Sequence, residues 1–147
     1  MPRRCLVFRL GEDAYALDVL RVQEIRAYEP PAALPDAPDW VRGVISLRGA
    51  IVPIIDARAR LGLSAAEDTR FAVIIVLDLL ELCAGLLVDA ASDVIELDPD
   101  RMHAAPVLAG AGRDSPVLGI YQLDERPIPL IDVRALLTGA RLGQFAV

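Results

Sequence analysis

Short runs of alternating apolar and polar residues, separated by turn residues, dominate this chain. Residues 4–10 alternate and lead through a turn at Gly11 into a second run at 15–20, which is the pattern of a β-hairpin. Residues 73–88 carry a similar pattern around a polar turn, so residues 4–20 and 73–88 are expected to be the matching hairpins of the first and the second half of the chain. Helical periodicity is confined to brief stretches, and the prolines within 30–38 make that segment irregular. The pattern therefore predicts a mainly β fold with short helices.

The chain also contains an internal repeat. Residues 43–61 lie in register with residues 119–137, and Gly, Leu, Pro, Ile, Asp, Arg and Ala recur at matching positions without a gap. A weaker similarity, at a shorter offset, joins residues 16–25 to residues 85–94. We therefore expect residues 1–147 to form one domain of two similar lobes with intertwined boundaries. Two such lobes usually create their functional surface where they meet.

Each repeat reads as a strand, a turn and a second strand that ends in proline and two aliphatic residues before an aspartate. Asp56 and Asp132 then begin helical turns that are followed by Gly62 and Gly139, so both aspartates are predicted to be helix N-caps. About five short strands per half favour a small barrel over an open sheet, because closure removes exposed edges. The expected fold is two small five-stranded β-barrels that pack together through aliphatic faces.

Charge and composition narrow the possible functions. The formal net charge is −6, which argues against nucleic-acid binding because phosphate contacts need a basic surface. Apolar residues make up 54 %, yet no uncharged run reaches the roughly 18 residues that a membrane span requires. The N-terminus lacks a signal-peptide cleavage site, so we expect a cytoplasmic protein without membrane insertion. Cys5 and Cys83 are predicted to be reduced, buried thiols.

Catalytic chemistry finds little support in the sequence. Asp56 and Asp132 occupy equivalent positions, so a two-lobed hydrolase that shares one proton between them is an alternative. The residues that follow, Ala57-Arg58 and Val133-Arg134, argue against it, because a proteolytic aspartate is followed by a small residue and glycine. His103 is the only histidine and is predicted to lie in a surface loop. Metal-ligand and phosphate-binding motifs are missing, so no enzyme activity, metal or cofactor is expected.

A binding surface is the remaining possibility. Residues 22–26 mix apolar and charged side chains on a segment that leaves the first hairpin. Arg48 lies in the turn of the first repeat, where the second repeat has Asp124. A turn arginine is compatible with a solvated surface residue as well as with a partner contact. The two repeats differ at this turn, which makes Arg48 a candidate binding residue.

In order and spacing, three segments resemble the CheW family of chemotaxis coupling proteins: residues 15–26, 41–56 and 85–94. The resemblance covers nearly the whole chain. The Asn-Leu-Arg-Gly turn typical of the family reads Ser-Leu-Arg-Gly at residues 46–49, and its Asp-Leu-Arg motif reads Asp-Ala-Arg at residues 56–58.

The resemblance implies two SH3-like five-stranded barrels and a non-catalytic adaptor. Such an adaptor couples the cytoplasmic tip of a methyl-accepting chemoreceptor to the regulatory domain of a CheA-type histidine kinase, at membrane receptor arrays. The receptor would bind in a groove between the barrels. By match to the family's motifs, the implied partner-binding residues are Val22, Glu24, Arg42, Arg48 and Ala91. The same fold in a chemosensory pathway outside motility is an alternative that neighbouring genes would decide.

Overall fold

The structure, a computed structural model, describes residues 2–64, 69–105 and 115–137. Within these ranges the chain forms eleven strands, two short α-helices and 3₁₀ turns at Val19–Arg21 and Pro99–Arg101. The strands are β1 (Arg4–Leu10), β2 (Asp13–Asp18), β3 (Val22–Ala27), β4 (Val41–Leu47), β5 (Ala50–Asp56), β6 (Val73–Asp78), β7 (Cys83–Val88), β8 (Ala90–Glu96), β9 (Met102–His103), β10 (Val117–Leu123) and β11 (Arg126–Ile131). The helices are α1 (Ala57–Arg60) and α2 (Val133–Leu136). The mainly β fold with short helices is confirmed.

The strands form two sheets, each of which is an SH3-like barrel. The first barrel has the strand order β3-β6-β7-β5-β4 and is continuous in sequence, from residue 22 to residue 88. The second has the order β8-β1-β2-β11-β10-β9 and combines the start of the chain with its later part. Neighbouring strands are antiparallel except for β5 with β7 and β11 with β2, which are parallel. The first barrel is thus inserted into the sequence of the second.

Strand register shows that the two barrels are built alike. Ile54 of β5 pairs with Gly85 of β7, and Leu130 of β11, which occupies the matching repeat position, pairs with Ala16 of β2. The hairpins β4–β5 and β10–β11 share the same register and the same irregularity near their open ends. The two repeat cores therefore form equivalent strands.

The assignment of hairpins to lobes differs from the sequence interpretation. Residues 4–18 were expected beside the first repeat and residues 73–88 beside the second, but the structure exchanges them. Hairpin β1–β2 pairs with β11, whereas hairpin β6–β7 pairs with β5. The second barrel is a circular permutation of the first, because β1–β2 stands where the first barrel has β6–β7. Alternation of apolar residues defines a strand's buried face but not its pairing partner, which explains the error.

Three apolar clusters hold the molecule together. One cluster fills the first barrel and consists of Ile45, Val52, Ile54, Ala72, Ile74, Val76 and Leu87. A second cluster fills the other barrel and consists of Cys5, Ala16, Ile128 and Leu130. The largest cluster combines residues of both barrels: Leu6, Phe8, Leu10, Leu17, Val41, Ile55, Ala57, Ile75, Leu77, Leu79, Leu86, Val88, Ile131, Val133 and Leu136. Full burial of one such side chain contributes roughly 1.5–3 kcal/mol. The barrels therefore pack through a continuous aliphatic core.

Both aspartates at the ends of the repeat strands are helix N-caps, as predicted. Asp56 Oδ1 accepts a hydrogen bond from the Ala59 amide at 3.3 Å, and Asp132 Oδ1 accepts one from the Arg134 amide at 3.0 Å. After α1, Gly62 has a φ of 80° and closes the helix with a left-handed residue. Gly139, expected to do the same after α2, lies outside the described residues. Each carboxylate thus serves its own helix, which is not the arrangement of a proton-sharing pair.

Two smaller predictions need correction. Cys5 is fully buried, and burial raises its pKa to about 12, but Cys83 is partly exposed at the start of β7. His103 lies in strand β9, paired with Ile120, and not in a loop.

Among the described residues, no helix has the length and apolar character to span a bilayer, and no group of three or more His, Cys, Asp or Glu side chains is arranged to hold a metal ion.

Candidate functional site

The turn between β4 and β5 presents Arg48 to solvent. Leu47 pairs with Ala50, so Arg48 and Gly49 are the two central residues of a tight hairpin turn, with φ values of 51° and 82°. Two positive φ values match the twist of a β-hairpin, but a left-handed arginine costs about 1 kcal/mol where glycine or asparagine would cost less. The Arg48 side chain is 65 % exposed. The two-residue turn requires these φ values, and it places the Arg48 side chain on the surface.

Glu24 on β3 orients Arg48. Arg48 Nη2 donates to Glu24 Oε2 at 3.1 Å, which joins β3 to the β4–β5 turn. The pair continues along β3, because Arg26 Nη1 lies 3.9 Å from Glu24 Oε1 and Arg26 Nη2 donates to Glu29 Oε1 at 2.9 Å. Two arginines and two glutamates thus form a neutral row, and Arg48 is its most exposed member. The structure brings the predicted residues Glu24 and Arg48 into direct contact.

Val22 and Ala91 occupy equivalent positions on the two barrels. Val22 of β3 pairs with Leu77 of β6, and Ala91 of β8 pairs with Phe8 of β1 in the corresponding place. Both side chains are partly buried, and both pack against the shared core between the barrels. The register of β3 and of β8 shifts close to these residues. Val22 and Ala91 therefore lie at the junction of the barrels, and Val22 is two residues from Glu24.

Arg42 is placed apart from the Glu24–Arg48 pair. Its Nη1 lies 3.9 Å from Oδ2 of Asp56, the buried cap of α1. The Asp56 side chain is 4 % exposed, so Arg42 supplies positive charge beside a carboxylate that has little contact with water. This contact indicates a structural role for Arg42.

The corresponding turn of the second barrel has different chemistry. Asp124 stands at the position of Arg48 and has nearly the same φ, 53°. Asp93 stands at the position of Glu24 on β8, so the pair of opposite charges is replaced by two acidic residues. The two barrels share a backbone but not this surface. An oriented arginine at this turn is therefore a feature of the first barrel.

Contacts between the barrels were missed by the sequence interpretation. Arg58, in α1 of the first barrel, forms a two-pronged ion pair with Asp89, with its Nε 3.0 Å from Oδ1 and its Nη2 on Oδ2. Asp89 Oδ2 also accepts the Gly11 amide of the β1–β2 turn at 2.5 Å. The hydrogen bonds from Arg58 hold the pKa of Asp89 below its ordinary value, and those same bonds raise the pKa of Arg58. Asp89 thereby connects the two barrels.

Two further arginines cross between the barrels. Arg60 of α1 donates to the backbone oxygens of Leu136 at 2.8 Å and Ala135 at 3.0 Å, at the end of α2. Arg134 of α2, the repeat equivalent of Arg58, donates to the Leu79 carbonyl at 2.8 Å and lies 3.2 Å from Glu81 in the β6–β7 turn. The sequence feature that could have indicated these contacts is the recurring Asp-x-Arg motif. It supplies a helix cap and, two residues later, an arginine that reaches the other barrel.

Two interleaved SH3-like barrels with an oriented surface arginine define the class of the protein, which is a two-barrel binding scaffold. The family follows from comparison. The CheW-like domain model matches residues 4–141, so the chain belongs to the CheW family.

Similarity to individual proteins supports the family assignment. The chain is 39 % identical to the chemotaxis protein CheW of Klebsiella aerogenes over 141 residues, which covers 94 % of this chain and 83 % of that protein. It is 38 % identical to a probable chemotaxis protein CheW of Rhizobium etli over 136 residues, which covers 92 % and 88 % of the two chains. The crystal structure of the scaffolding protein TtCheW from Thermoanaerobacter tengcongensis superposes with a TM-score of 0.83 at 32 % identity, covering 94 % of each chain. The two-barrel fold is therefore that of a known scaffolding protein.

Proposed function

We propose that this protein is a non-catalytic adaptor that couples chemoreceptors to a CheA-type histidine kinase in bacterial chemotaxis. Family membership and the names of the relatives support this function. The observation that connects the proposal to a site is the hydrogen bond between the exposed Arg48 and Glu24. An arginine fixed by a carboxylate loses less conformational entropy on binding than a free one, and it keeps donors available for a partner.

The receptor-binding surface, in this proposal, lies at the junction of the barrels on the side of β3. Val22 and Ala91 supply small apolar contacts there, one from each barrel, and the Glu24–Arg48 pair supplies the polar contact. An apolar centre with a charged rim suits a helical receptor tip. Arg42 would contribute mainly by holding Asp56 and α1 in place.

The second partner in this proposal is the regulatory domain of the kinase. The protein would act in the cytoplasm, at receptor arrays on the membrane, and its two barrels would work as one domain. Simultaneous contact with receptor and kinase requires two separate faces on one body, and two barrels with a shared apolar core supply such a body. In this proposal the protein acts only by binding the receptor and the kinase. It controls the activity of the kinase and catalyses no reaction itself.

Charge reversal at Arg48 tests the proposal. Purified Arg48→Glu protein would be mixed with a receptor cytoplasmic fragment and the kinase, and co-sedimentation and receptor-dependent kinase activity would be measured. We expect the melting temperature to stay nearly unchanged, because an exposed ion pair contributes only about 0–1 kcal/mol to stability. Receptor-dependent control should be lost, because like charges at an interface cost several kcal/mol of binding, on the order of a hundredfold or more.

Two further variants make the result specific. Arg126→Glu reverses an exposed charge on the second barrel and should couple normally. The double exchange Glu24→Arg with Arg48→Glu restores an internal ion pair but presents the opposite charge, so it should fold and still fail to couple. If Arg48→Glu couples receptor and kinase as well as the wild type does, Arg48 is a solvated turn residue and the proposed site is wrong.

A further inference from the structure

The two barrels are joined by two short connections. Residues 19–21 lead from β2 of the second barrel into β3 of the first, and Asp89 alone leads back from β7 to β8. Two short tethers prevent the barrels from separating or twisting freely. They leave one rigid-body movement open, which is a hinge rotation about the line through both tethers.

The apolar core between the barrels does not define this hinge angle by itself. Hydrophobic contact is non-directional, so a small rotation that keeps the aliphatic surfaces covered does not lose the free energy of keeping them away from water. Hydrogen bonds have narrow limits of distance and angle, so they restrict rotation more strictly. The polar contacts that cross from one barrel to the other are therefore the groups to examine.

In the described part of the chain, arginines of α1 and α2 make these crossing contacts. Arg60 donates to the backbone oxygens of Leu136 and Ala135 at the end of α2. The Arg60 guanidinium also lies over the Trp40 ring, 5.2 Å from its centre, which fixes the direction of the side chain. Arg134 binds the β6–β7 turn, and Arg58 binds Asp89 at the single-residue tether. Each of the two helices thus reaches into the opposite barrel.

Arg60 differs from the other two because it has no counterpart in the repeat. Leu136 stands at its equivalent position and is buried in the shared core. The bond from Arg60 to α2 is therefore not required by the barrel fold, which the second barrel forms without it. This asymmetry suggests that Arg60 acts on the angle between the barrels.

We propose that Arg60 and Arg134 are positioning residues that fix the angle between the two barrels, so that one chain can hold receptor and kinase at the same time. The coupling part of this inference rests on the proposed adaptor function. The proposed receptor surface takes residues from both barrels, so a variable angle leaves that surface less preorganised for the receptor.

Distance measurement tests the angle without any partner. Spin labels at Ser46→Cys on the first barrel and Glu96→Cys on the second, both exposed, would be placed in a Cys83→Ser background, where Cys5 stays buried. The double variant Arg60→Met with Arg134→Met removes the guanidinium donors of these two arginines and keeps apolar side chains in their place. Pulsed electron spin resonance should show a broader or shifted distance distribution for the double variant.

Controls separate positioning from stability. A destabilising substitution inside the first barrel, Ile54→Val or Ile54→Ala, would be chosen to match the melting temperature of the double variant and should leave the distribution unchanged. A label pair within the first barrel, at Ala27 and Ser46, should be unaffected in all proteins. If the distribution between the barrels is the same in the double variant and the wild type, Arg60 and Arg134 do not set the angle and the proposal is overturned.

The coupling measurement completes the test. The double variant should bind the kinase regulatory domain alone with wild-type affinity. It should bind the receptor fragment about tenfold more weakly, because the proposed receptor surface takes residues from both barrels. A variant with altered distances and unchanged receptor affinity would overturn the positioning role. A wild-type protein that couples nothing would overturn the proposed function and the coupling half of this inference, and the distance data would still decide whether the arginines fix the angle.

Discussion

Replacement of Asp89 by asparagine should destabilise the protein in a strongly pH-dependent way. Asp89 accepts two hydrogen bonds from Arg58 and one from the Gly11 amide, and its side chain is 28 % exposed. Asparagine keeps one acceptor oxygen but turns an N–H group toward the remaining donor and leaves the Arg58 charge without a partner. Loss of charged hydrogen bonds in a partly buried site costs about 2–3 kcal/mol.

The sign of the pH effect follows from the direction of the pKa shift. Hydrogen bonds from Arg58 lower the pKa of Asp89 in the folded protein below its ordinary value of 3.8. A carboxyl group with a lowered folded pKa stabilises the protein at a pH above the unfolded value, and this contribution is lost as the pH falls through the folded value. The difference between wild type and Asp89→Asn should therefore be constant from pH 7 to about pH 5 and shrink below about pH 4.

Urea unfolding at a series of pH values measures this difference. At neutral pH a loss of 2–3 kcal/mol should move the midpoint by about 1 M, given a urea slope of about 2 kcal/mol/M. Asp93→Asn is the matched control, because Asp93 is exposed on the next strand and its side chain makes no hydrogen bond or ion pair with the described residues. A difference for Asp89→Asn that stays constant down to pH 3, or a variant as stable as wild type at pH 7, would refute the reasoning.

Three other predictions concern local structure. Gly43→Ala should cost about 3 kcal/mol or more in chemical denaturation, because a Cβ there would lie 2.1 Å from a backbone oxygen, whereas Gly49→Ala, with open space around it, should cost about 1–2 kcal/mol. Asp56→Asn should cost less than about 1 kcal/mol in the same assay, since asparagine also caps helices, and a larger loss would show that the negative charge matters. In the folded protein at pH 8, mass spectrometry after thiol labelling should find Cys83 modified and Cys5 unmodified, because burial raises the pKa of Cys5 to about 12; equal labelling of both would contradict the buried environment of Cys5.

The elements that depend on neighbouring residues could be predicted from the sequence. Alternation identified the hairpins, and the aspartate before each terminal helix identified the caps, because both are local effects. The family resemblance named both Glu24 and Arg48, and the structure adds that their side chains are hydrogen-bonded. The continuation of this pair to Arg26 and Glu29 was not predicted, because the direction of a long side chain depends on neighbours that the sequence pattern does not specify.

The exchange of hairpins was harder to predict, although the sequence contains a trace of it. The similarity between residues 16–25 and 85–94 has a shorter offset than the main repeat. In the structure, each of these stretches contains the end of a strand in one barrel, a short connection and the start of a strand in the other barrel. The weaker repeat therefore corresponds to the two crossovers, and its different offset is the sign that strands change barrels between the repeats.

This interleaved topology explains why a duplicated barrel can serve as a scaffold. Two barrels that followed each other in sequence would be joined by one connection, and their relative angle would depend entirely on the interface. Here the first barrel lies within the sequence of the second, so two short connections and a shared core act together. The recurring Asp-x-Arg sequence adds polar bonds across the interface from both sides. A scaffold that must hold two partners in a defined geometry benefits from such redundancy, because each constraint removes a movement that would otherwise separate the two binding faces.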